Sequence, residues 1–193
     1  MKLHFKFTPM KRLTLPLVGL VALVCLVACD ELLTTAAAPI PLGTNSCSVY
    51  FSPRGGCTEA VIRELNNAKF TVLVQAYSFT SAPIAKALVE AHRRGVKVEV
   101  ILDKSQRTAS YSSADFVAHA GILTLIDAKH SIAHNKIIIV DGQTVITGSF
   151  NFSNAAEEHN AENLLILRDS KVAKRYIENW ELHEKHSERY EGR

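Results

Sequence analysis

The chain has 193 residues, of which 47% are hydrophobic, and a formal charge of +3. This length predicts one domain with a sizeable core and excludes two large domains. Residues 1–29 contain four Lys or Arg and no acidic residue, so the remainder carries 18 basic and 19 acidic residues. Overall charge therefore argues against a strongly basic nucleic-acid-binding surface, and any recognition of phosphate has to be local.

The N-terminal segment is typical of an export signal. A basic start is followed by an apolar stretch, 13–28, and then by Cys29. This order predicts a signal peptide over residues 1–29. Its end, LVAC, resembles the lipobox of bacterial lipoproteins, so we expect a lipidated Cys29 that anchors an exported, periplasmic protein to a membrane. Two alternatives stay open. Ordinary cleavage near 36–38 would give a soluble periplasmic or secreted protein, whereas the apolar run of about 16 residues is short for an uncleaved anchor.

The rest of the chain divides into a tether and a domain. Residues 30–46 contain Pro39, Pro41 and Gly43 among small residues and show no periodicity, which predicts a tether. From residue 47 onward, strand and helix patterns alternate. Strands are predicted over 48–51, 70–76, 96–102, 122–126 and 162–167, and helices over 58–68, 81–94, 113–120, 153–158 and 170–186. Together with the hairpin described below, this order predicts an α/β fold, an α-β-α sandwich with a mixed β-sheet, over residues 47–193.

Two cysteines fall within the predicted domain. Cys47 and Cys57 are ten residues apart, and an oxidising compartment allows a disulfide between them. Zinc is disfavoured at this pair because no histidine lies near either cysteine in the sequence.

Residues 133–151, AHNKIIIVDGQTVITGSFN, are typical of a hairpin with an Asp-Gly turn. Side chains two apart on a strand share a face, so four polar side chains converge at one end if the strands pair. These four are His134, Lys136, Ser149 and Asn151. Each alone has an ordinary structural explanation. Together they combine an imidazole nucleophile with cationic and hydrogen-bonding groups, which suits an anionic phosphodiester.

The spacing of these residues resembles a known signature. The pattern HxK(x4)D(x6)GS is matched without insertion by His134, Lys136, Asp141, Gly148 and Ser149. This is the signature of the phospholipase D superfamily, and the sequence that follows is similar to its single-motif bacterial nucleases. The resemblance covers about residues 47–180. It implies the phospholipase D/nuclease fold with one motif per chain.

The resemblance also implies the chemistry. The chain is expected to be a metal-independent phosphodiesterase that needs no cofactor and acts through a phosphohistidine intermediate on His134. Lys136 and Asn151 would bind the phosphate, and Ser149 would support that site.

Two acidic residues complete the implied site. Glu162 matches the family's acidic residue that hydrogen-bonds the catalytic histidine and fixes its tautomer. Asp141 belongs to the catalytic signature, but its place in the turn indicates a mainly structural role.

One histidine does not complete the reaction. A second group must protonate the leaving oxygen, and in the family that group is a histidine from a second copy of the motif. This chain has one copy. We therefore expect a two-fold homodimer that brings two His134 side chains together across the interface. His159 is a local alternative acid.

Other polar residues have weaker explanations. His130 and His134, and likewise His183 and His186, have ligand-like gaps. The first pair spans the entry to a strand and the second lies in a charge-rich tail, so a solvated helix end is favoured and no metal is predicted. Five basic residues either guide a polyanion to the site or form an ordinary exposed edge. They are Arg93, Arg94, Lys97, Lys104 and Arg107.

Three functions compete at this point. The leading hypothesis is an endonuclease that hydrolyses DNA with little sequence preference. The alternative within enzymes is a phospholipase D that cleaves phospholipid head groups, since the motif recognises the phosphodiester and not what it carries. A non-catalytic lipoprotein that serves as a binding module is the alternative from another class, and the intact set of motif residues argues against it.

Overall fold

A computed structural model describes residues 46–193 of the chain. The predicted signal peptide with Cys29 and nearly all of the predicted tether lie outside the described residues. The strands are β1 (Cys47–Ser52), β2 (Thr71–Ala76), β3 (Lys97–Asp103), β4 (Leu123–Asp127), β5 (Lys136–Val140), β6 (Thr144–Gly148), β7 (Glu162–Arg168) and β8 (Glu188–Arg189). The helices are α1 (Cys57–Asn67), α2 (Ala82–Arg93), α3 (Ala114–His119), α4 (Asn154–Glu158) and α5 (Ser170–Glu184), and a 3₁₀ turn spans Lys104–Arg107.

The strands of the described residues form one mixed sheet. Their order is β1-β7-β6-β5-β2-β3-β4-β8. β2, β3 and β4 are parallel neighbours, because α2 and then α3 carry the chain back between them. β5, β6, β7 and β1 add antiparallel pairs on one side of β2, and β8 pairs antiparallel with β4. The predicted mixed sheet is confirmed.

Helices cover both faces of the sheet. One apolar core packs α1, α2 and α3 against one face and includes Leu65, Leu88 and Ile138. The other core packs α5 against the opposite face and includes Ile139 and Trp180. Because both faces are covered, all five residues of β5 are buried, which explains its uninterrupted apolar run. The predicted α-β-α sandwich is confirmed.

The predicted boundaries differ from the structure at the C-terminus. The last helix ends at Glu184 instead of His186, and β8 follows it as an unpredicted strand. Its two residues are charged and exposed, so neither alternation nor apolar content signals a strand. At the start of α2, Ser81 occupies the predicted N-cap position, but its side chain accepts no hydrogen bond there.

The disulfide allowed by the sequence is absent from the structure. Cys47 and Cys57 are free thiols, the first exposed and the second buried. Cys47 begins β1, which spans about 17 Å, and Cys57 begins α1 beyond the other end of that strand. Thr58 donates its backbone N–H to Glu157 while Ser52 bonds to nearby Asn160, which places the start of α1 at the far end of β1 from Cys47. Burial, with smaller contributions from the charges of Glu157 and Glu59, raises the pKa of Cys57 to about 11.

Within residues 46–193, the helices are all too short or too polar to cross a bilayer.

Candidate functional site

The predicted site residues lie at one edge of the sheet. Lys136, the first residue of β5, pairs with Ala76, the last residue of β2. Gly148, the last residue of β6, pairs with Leu164 near the start of β7. These positions share the edge at which the parallel strands end, which is where open α/β sheets place their ligand sites. Strand polarity therefore brings the two ends of the signature together.

His134 and Lys136 pack around a common aromatic ring. The centroid of the His134 ring lies 4.6 Å from that of Tyr77, and Lys136 Nζ lies 5.1 Å from the Tyr77 centroid. Lys136 Nζ also donates a hydrogen bond of 2.9 Å to the backbone oxygen of His134. The His134 side chain is exposed, whereas Lys136 is buried. An accessible imidazole thus stands beside a fixed ammonium group.

The environment of Lys136 changes its acidity. Burial lowers the pKa of the ammonium group below its ordinary value, and the negative charge of Glu162 partly offsets that decrease. Glu162 begins β7 and is half-buried. A cation that is desolvated in this way interacts strongly with an anion that enters the site.

Glu162 does not have the hydrogen-bond partner that the resemblance implied. Its Oε1 accepts a hydrogen bond of 3.1 Å from Asn160 Nδ2. Within the described chain, the hydrogen bond to His134 that the resemblance implied is not made. Glu162 acts on the site through its negative charge, which raises the pKa of Lys136.

Ser149 is held by Asn163 in a two-way pair. The Ser149 N–H donates to Asn163 Oδ1 at 2.9 Å, and the Asn163 N–H donates to Ser149 Oγ at 3.0 Å. Gly148 makes this pairing possible, because a Cβ atom there would lie 2.3 Å from the Asn163 carbonyl oxygen, and its φ is 146°. The main chain of Asn163 therefore occupies the position that a side chain at residue 148 would need.

Asn151 lies between two anchored aromatic residues. Phe150 and Phe152 are both fully buried, so the alternation of this segment turns Asn151 away from the core. Its Oδ1 is buried and has no hydrogen-bond partner among the described residues. Rotation of the amide would present Nδ2 donors at the same place, which suits a phosphate oxygen.

Asp141 belongs to the signature but lies at the opposite end of the hairpin from His134 and Lys136. It lies in the β5–β6 turn, roughly 17 Å along the strand from Lys136. Its carboxylate accepts the backbone N–H groups of Lys69, Phe70 and Thr71 at 2.7–2.9 Å. The role expected from its turn position, a structural one, is the role that these contacts show.

Two residues near the site were missed from the sequence. Tyr77 follows β2, and its N–H donates to the Asn135 carbonyl at 2.8 Å. Asp103 ends β3, is buried, and accepts the Ala133 N–H at 2.7 Å, which fixes the backbone next to His134. The available signal was their position directly after or at the end of a predicted buried strand, where α/β folds collect functional side chains.

The five basic residues do not form a patch that faces the site. Arg93, Arg94 and Lys97 lie at the start of β3, which is the opposite edge of the sheet, because β3 runs parallel to β2. Each of the five also has a partner in the described chain. The pairs are Arg93 with Glu90, Arg94 with the Leu65 carbonyl, Lys97 with Glu99, Lys104 with the His130 carbonyl, and Arg107 with Glu188. The guiding role is therefore wrong for the first three.

The predicted solvated helix end is also wrong. His183 is only 16% exposed, and its Nδ1 lies 2.7 Å from the fully buried Asp127 carboxylate. His186 and His130 lie near the same carboxylate. The charged composition of the tail concealed that this part of the chain packs against the end of β4.

A cleft of about 460 Å³ opens beside His134. Its lining comes from the loop before β5, both strands of the hairpin, and α5. The lining residues are His134, Asn135, Lys136, Ile137, Thr147, Gly148, Arg175, Tyr176 and Asn179. The cleft therefore places a cation, an aromatic ring and an amide from α5 next to the exposed imidazole.

Comparisons with known proteins agree with this geometry. The family model described as "Cardiolipin synthase, PLD-like domain" matches residues 61–183. A protein named phospholipase D from Rickettsia conorii is 41% identical over 139 residues, which cover 72% of this chain and 70% of that protein. The mitochondrial cardiolipin hydrolase of Mus musculus is 30% identical over 155 residues, 80% of this chain and 70% of that protein.

A solved structure shows the same fold. The crystal structure of a phospholipase D family member, Nuc from Salmonella typhimurium, is 38% identical and superposes with a TM-score of 0.73, covering 76% of this chain and 98% of that one. The sheet order, the signature at its edge and these matches lead to one conclusion: the chain belongs to the phospholipase D superfamily of phosphodiesterases.

Proposed function

We propose that the chain is a metal-independent endonuclease that hydrolyses DNA phosphodiester bonds through a phosphohistidine intermediate. In the first step a His134 nitrogen bonds to phosphorus, the bond from phosphorus to the leaving oxygen breaks, and a general acid protonates that oxygen. In the second step water, which loses a proton to the same group, attacks phosphorus and releases His134. The exposed His134 ring beside the fixed Lys136 ammonium supports this assignment.

The surrounding groups have distinct roles in this proposal. Lys136, buried and adjacent, stabilises the negative charge that develops on the phosphate oxygens. With its amide rotated, Asn151 donates from Nδ2 to another phosphate oxygen, because the buried position now held by Oδ1 has no partner among the described residues. Ser149 supports the site through its pair with Asn163. Glu162 maintains the charge of Lys136.

The observation that favours DNA is the lining of the cleft next to His134. Arg175 supplies a cation for a neighbouring phosphate, and Tyr176 supplies an aromatic face. Single-stranded nucleic acid is bound by this combination of a charged groove and stacking surfaces. A substrate strand could thus extend past the reacting phosphate along α5.

A phospholipid substrate is the second candidate, and one observation favours it. Ile132 lies two residues before His134 and is 56% exposed, so an apolar side chain stands on the approach to the site. The relatives named phospholipase D and mitochondrial cardiolipin hydrolase belong to the same comparison. On this alternative, Ile132 would contact acyl chains while Lys136 binds the lipid phosphate.

We also propose that the active form is a homodimer. Among the described residues, the one aromatic or imidazole ring that packs on His134 is that of Tyr77, so no second histidine of the same chain packs beside it. The leaving group nevertheless needs an acid. A two-fold axis beside the exposed His134 would bring the partner's copy of this residue into the same site and supply that acid.

The location of the enzyme completes the proposal. A signal peptide over residues 1–29 would export the chain, and lipidated Cys29 would hold it on a membrane in the periplasm. Replacement of Cys29 by Ser is expected to move the processed protein from the membrane fraction to the soluble fraction. Recovery of the Cys29→Ser protein with the membrane, equal to the wild type, would contradict lipid anchoring.

The first experiment tests the chemistry without committing to a substrate. Hydrolysis of bis(p-nitrophenyl) phosphate in EDTA is to be followed for the full chain in mild detergent and for its His134→Asn variant. We expect turnover for the wild type and about a 10⁴-fold lower rate for the variant. Turnover that survives in His134→Asn, or that appears only when Mg²⁺ or Ca²⁺ is added, would show that the proposed mechanism is wrong.

The second experiment separates the substrates. Single-stranded DNA and phosphatidylcholine vesicles are supplied in parallel to the wild type, Arg175→Gln and the matched control Lys174→Gln, which alters an exposed lysine outside the cleft. We expect Arg175→Gln to raise KM for DNA about tenfold and to lower the salt slope by about one, with Lys174→Gln unchanged. Vesicle hydrolysis faster than DNA hydrolysis, with no effect of Arg175→Gln on either, would support the phospholipase instead.

A mixed dimer tests the shared site. Wild-type and His134→Asn chains carry different affinity tags, and the heterodimer is isolated through both. The shared site of this heterodimer keeps only one of the two histidines and lacks either the nucleophile or the acid, so we expect its turnover to fall close to that of the variant homodimer. Half of the wild-type activity in the heterodimer would show that each chain acts alone.

A further inference from the structure

A second cluster of chemically active side chains lies along the same edge of the sheet. Asp127 is the last residue of β4, and His130 belongs to the loop that leads to His134. His183 lies in the last turn of α5, and His186 follows that helix. The cluster therefore joins two segments, 127–130 and 183–186, that are far apart in the sequence.

The donor atoms converge on one carboxylate oxygen. Asp127 Oδ2 lies 2.7 Å from His183 Nδ1, 3.3 Å from His186 Nε2 and 3.7 Å from His130 Nε2. One ligand atom from each of the four residues lies within 4.8 Å of every other. A tetrahedral zinc ion with bonds of about 2.0–2.1 Å separates its ligand atoms by roughly 3.3 Å, so only small side-chain adjustments separate this cluster from a metal site.

Hydrogen bonding alone leaves the cluster incomplete. Asp127 is fully buried, and its second oxygen accepts the Lys129 N–H at 3.1 Å. The buried Nε2 atoms of His130 and His186 lie 3.7 and 3.3 Å from Asp127 Oδ2, and neither makes a well-aligned hydrogen bond among the described residues. Buried polar atoms without partners are costly, and a bound cation that accepts both nitrogen lone pairs would remove that cost.

We propose that Asp127, His130, His183 and His186 form a binding site for a divalent transition metal, with Zn²⁺ as the best fit. Three imidazoles and one carboxylate are ligands that zinc prefers, and four protein ligands fill a tetrahedral shell. A filled shell leaves no position for water or substrate, so the site is structural. It is also separate from the phosphodiesterase site. Lys136, Ala76, Leu102 and Ile126 stand in register across four adjacent strands, which places Asp127 about 14 Å from Lys136 across the sheet.

The ion would fasten the C-terminal segment to the sheet. β8 is only two residues long and pairs with β4 beside the cluster, so its hydrogen bonds alone hold it weakly. Lys104 and Asp103 already contact the backbone of the loop that contains His130, and that loop leads into His134. A metal there would stabilise both the end of α5 and the entrance to β5.

The test uses the full chain, stripped with a chelator and titrated with Zn²⁺ in a calorimeter, with bound metal counted after dialysis. We expect one Zn²⁺ per chain and a rise in Tm of roughly 5–10 °C at a hundred times the Kd. His130→Gln and His186→Gln should each weaken binding at least about tenfold. The matched control is His119→Gln, an exposed histidine outside the cluster, which should bind as the wild type does.

Binding of Co²⁺ gives a readout of geometry that does not depend on enzyme activity. The intense visible absorption of tetrahedral Co²⁺ is expected in the wild type and in His119→Gln, and its loss in His130→Gln. His130 is the safest variant, because its side chain is 43% exposed and its ring makes no hydrogen bond in the described chain. No stoichiometric Zn²⁺ in the wild type, an octahedral Co²⁺ spectrum, or an equal loss in His119→Gln would overturn the proposal.

Discussion

The two ends of the β5–β6 hairpin carry the same sequence signature and differ in almost every physical respect. At the turn, Asp141 accepts three backbone N–H groups, so its acceptor capacity is well used. At the open end, His134 is exposed and Asn151 has a buried oxygen without a partner among the described residues. Lys136, buried beside them, carries a charge that burial disfavours.

This difference separates stability from chemistry within one motif. Groups whose hydrogen bonds are complete lower the free energy of the folded chain and have no capacity left for a substrate. Groups that remain incomplete keep that capacity, at some cost in stability, and cluster where a ligand is bound. The following predictions compare the two ends.

The largest effect is expected at the open end, in activity and not in stability. His134→Asn should lower kcat for bis(p-nitrophenyl) phosphate by about 10⁴-fold, because the nucleophile is lost. Its free energy of unfolding in urea should change by less than about 0.5 kcal/mol, since the side chain is exposed. His119→Asn, at another exposed histidine, serves as the control and should change neither quantity. Unfolding of His134→Asn at a clearly lower urea concentration would show that His134 also stabilises the fold, which contradicts the separation of chemistry from stability.

Gly148→Ala should produce the largest loss of stability. The new Cβ would lie 2.3 Å from the Asn163 carbonyl oxygen, and φ at this position is 146°. We expect the free energy of unfolding to fall by about 3 kcal/mol or more. Gly95→Ala is the matched control: its φ is also positive, at 92°, but no atom lies within 4 Å, so only about 1 kcal/mol of backbone strain is expected. Equal losses in the two variants would show that the close approach at Gly148 is unimportant.

Asp141→Ala tests the turn end. Loss of the carboxylate leaves three N–H groups to water, and φ of 52° disfavours alanine. We expect a loss of about 2–3 kcal/mol in unfolding free energy, and roughly half of that for Asp141→Asn, which keeps an acceptor and tolerates this φ. Turnover per folded molecule should stay within about threefold of the wild type at low temperature. A fall in turnover without a loss of stability would return Asp141 to the catalytic group.

Glu162→Gln is expected to have the smallest effect, seen as a shift with pH. The negative charge of Glu162 raises the pKa of Lys136 against the decrease caused by burial. Its removal lowers that pKa further, so the ammonium group deprotonates at a lower pH. Because phosphate binding needs the charged form, the alkaline limb of the kcat/KM profile should move to lower pH. An unchanged limb, or an equal shift in the control Glu158→Gln, would show that this charge does not act on the site.

Much of the site could be predicted from the sequence because its signals are local. The spacing from His134 to Ser149 sets strand alternation and a turn, and alternation decides which side chains share a face. The structural role of Asp141 also followed from its place in the turn, although its partners did not. By contrast, the hydrogen bond from His134 to Glu162 was implied by resemblance, and the structure pairs Glu162 with Asn160 instead.

By itself, the sequence determined the α/β class, the mixed sheet and the family, since periodicity and motif spacing depend on residues that are neighbours in the chain. Only the tertiary structure decided that Asp103 holds the backbone next to His134 and that three histidines surround the Asp127 carboxylate. It also decided that Cys47 and Cys57 stay apart. These contacts join residues from separate strands, loops and helices, and their distances depend on strand order and on the packing of α5 against the sheet. Local sequence patterns therefore do not predict these contacts.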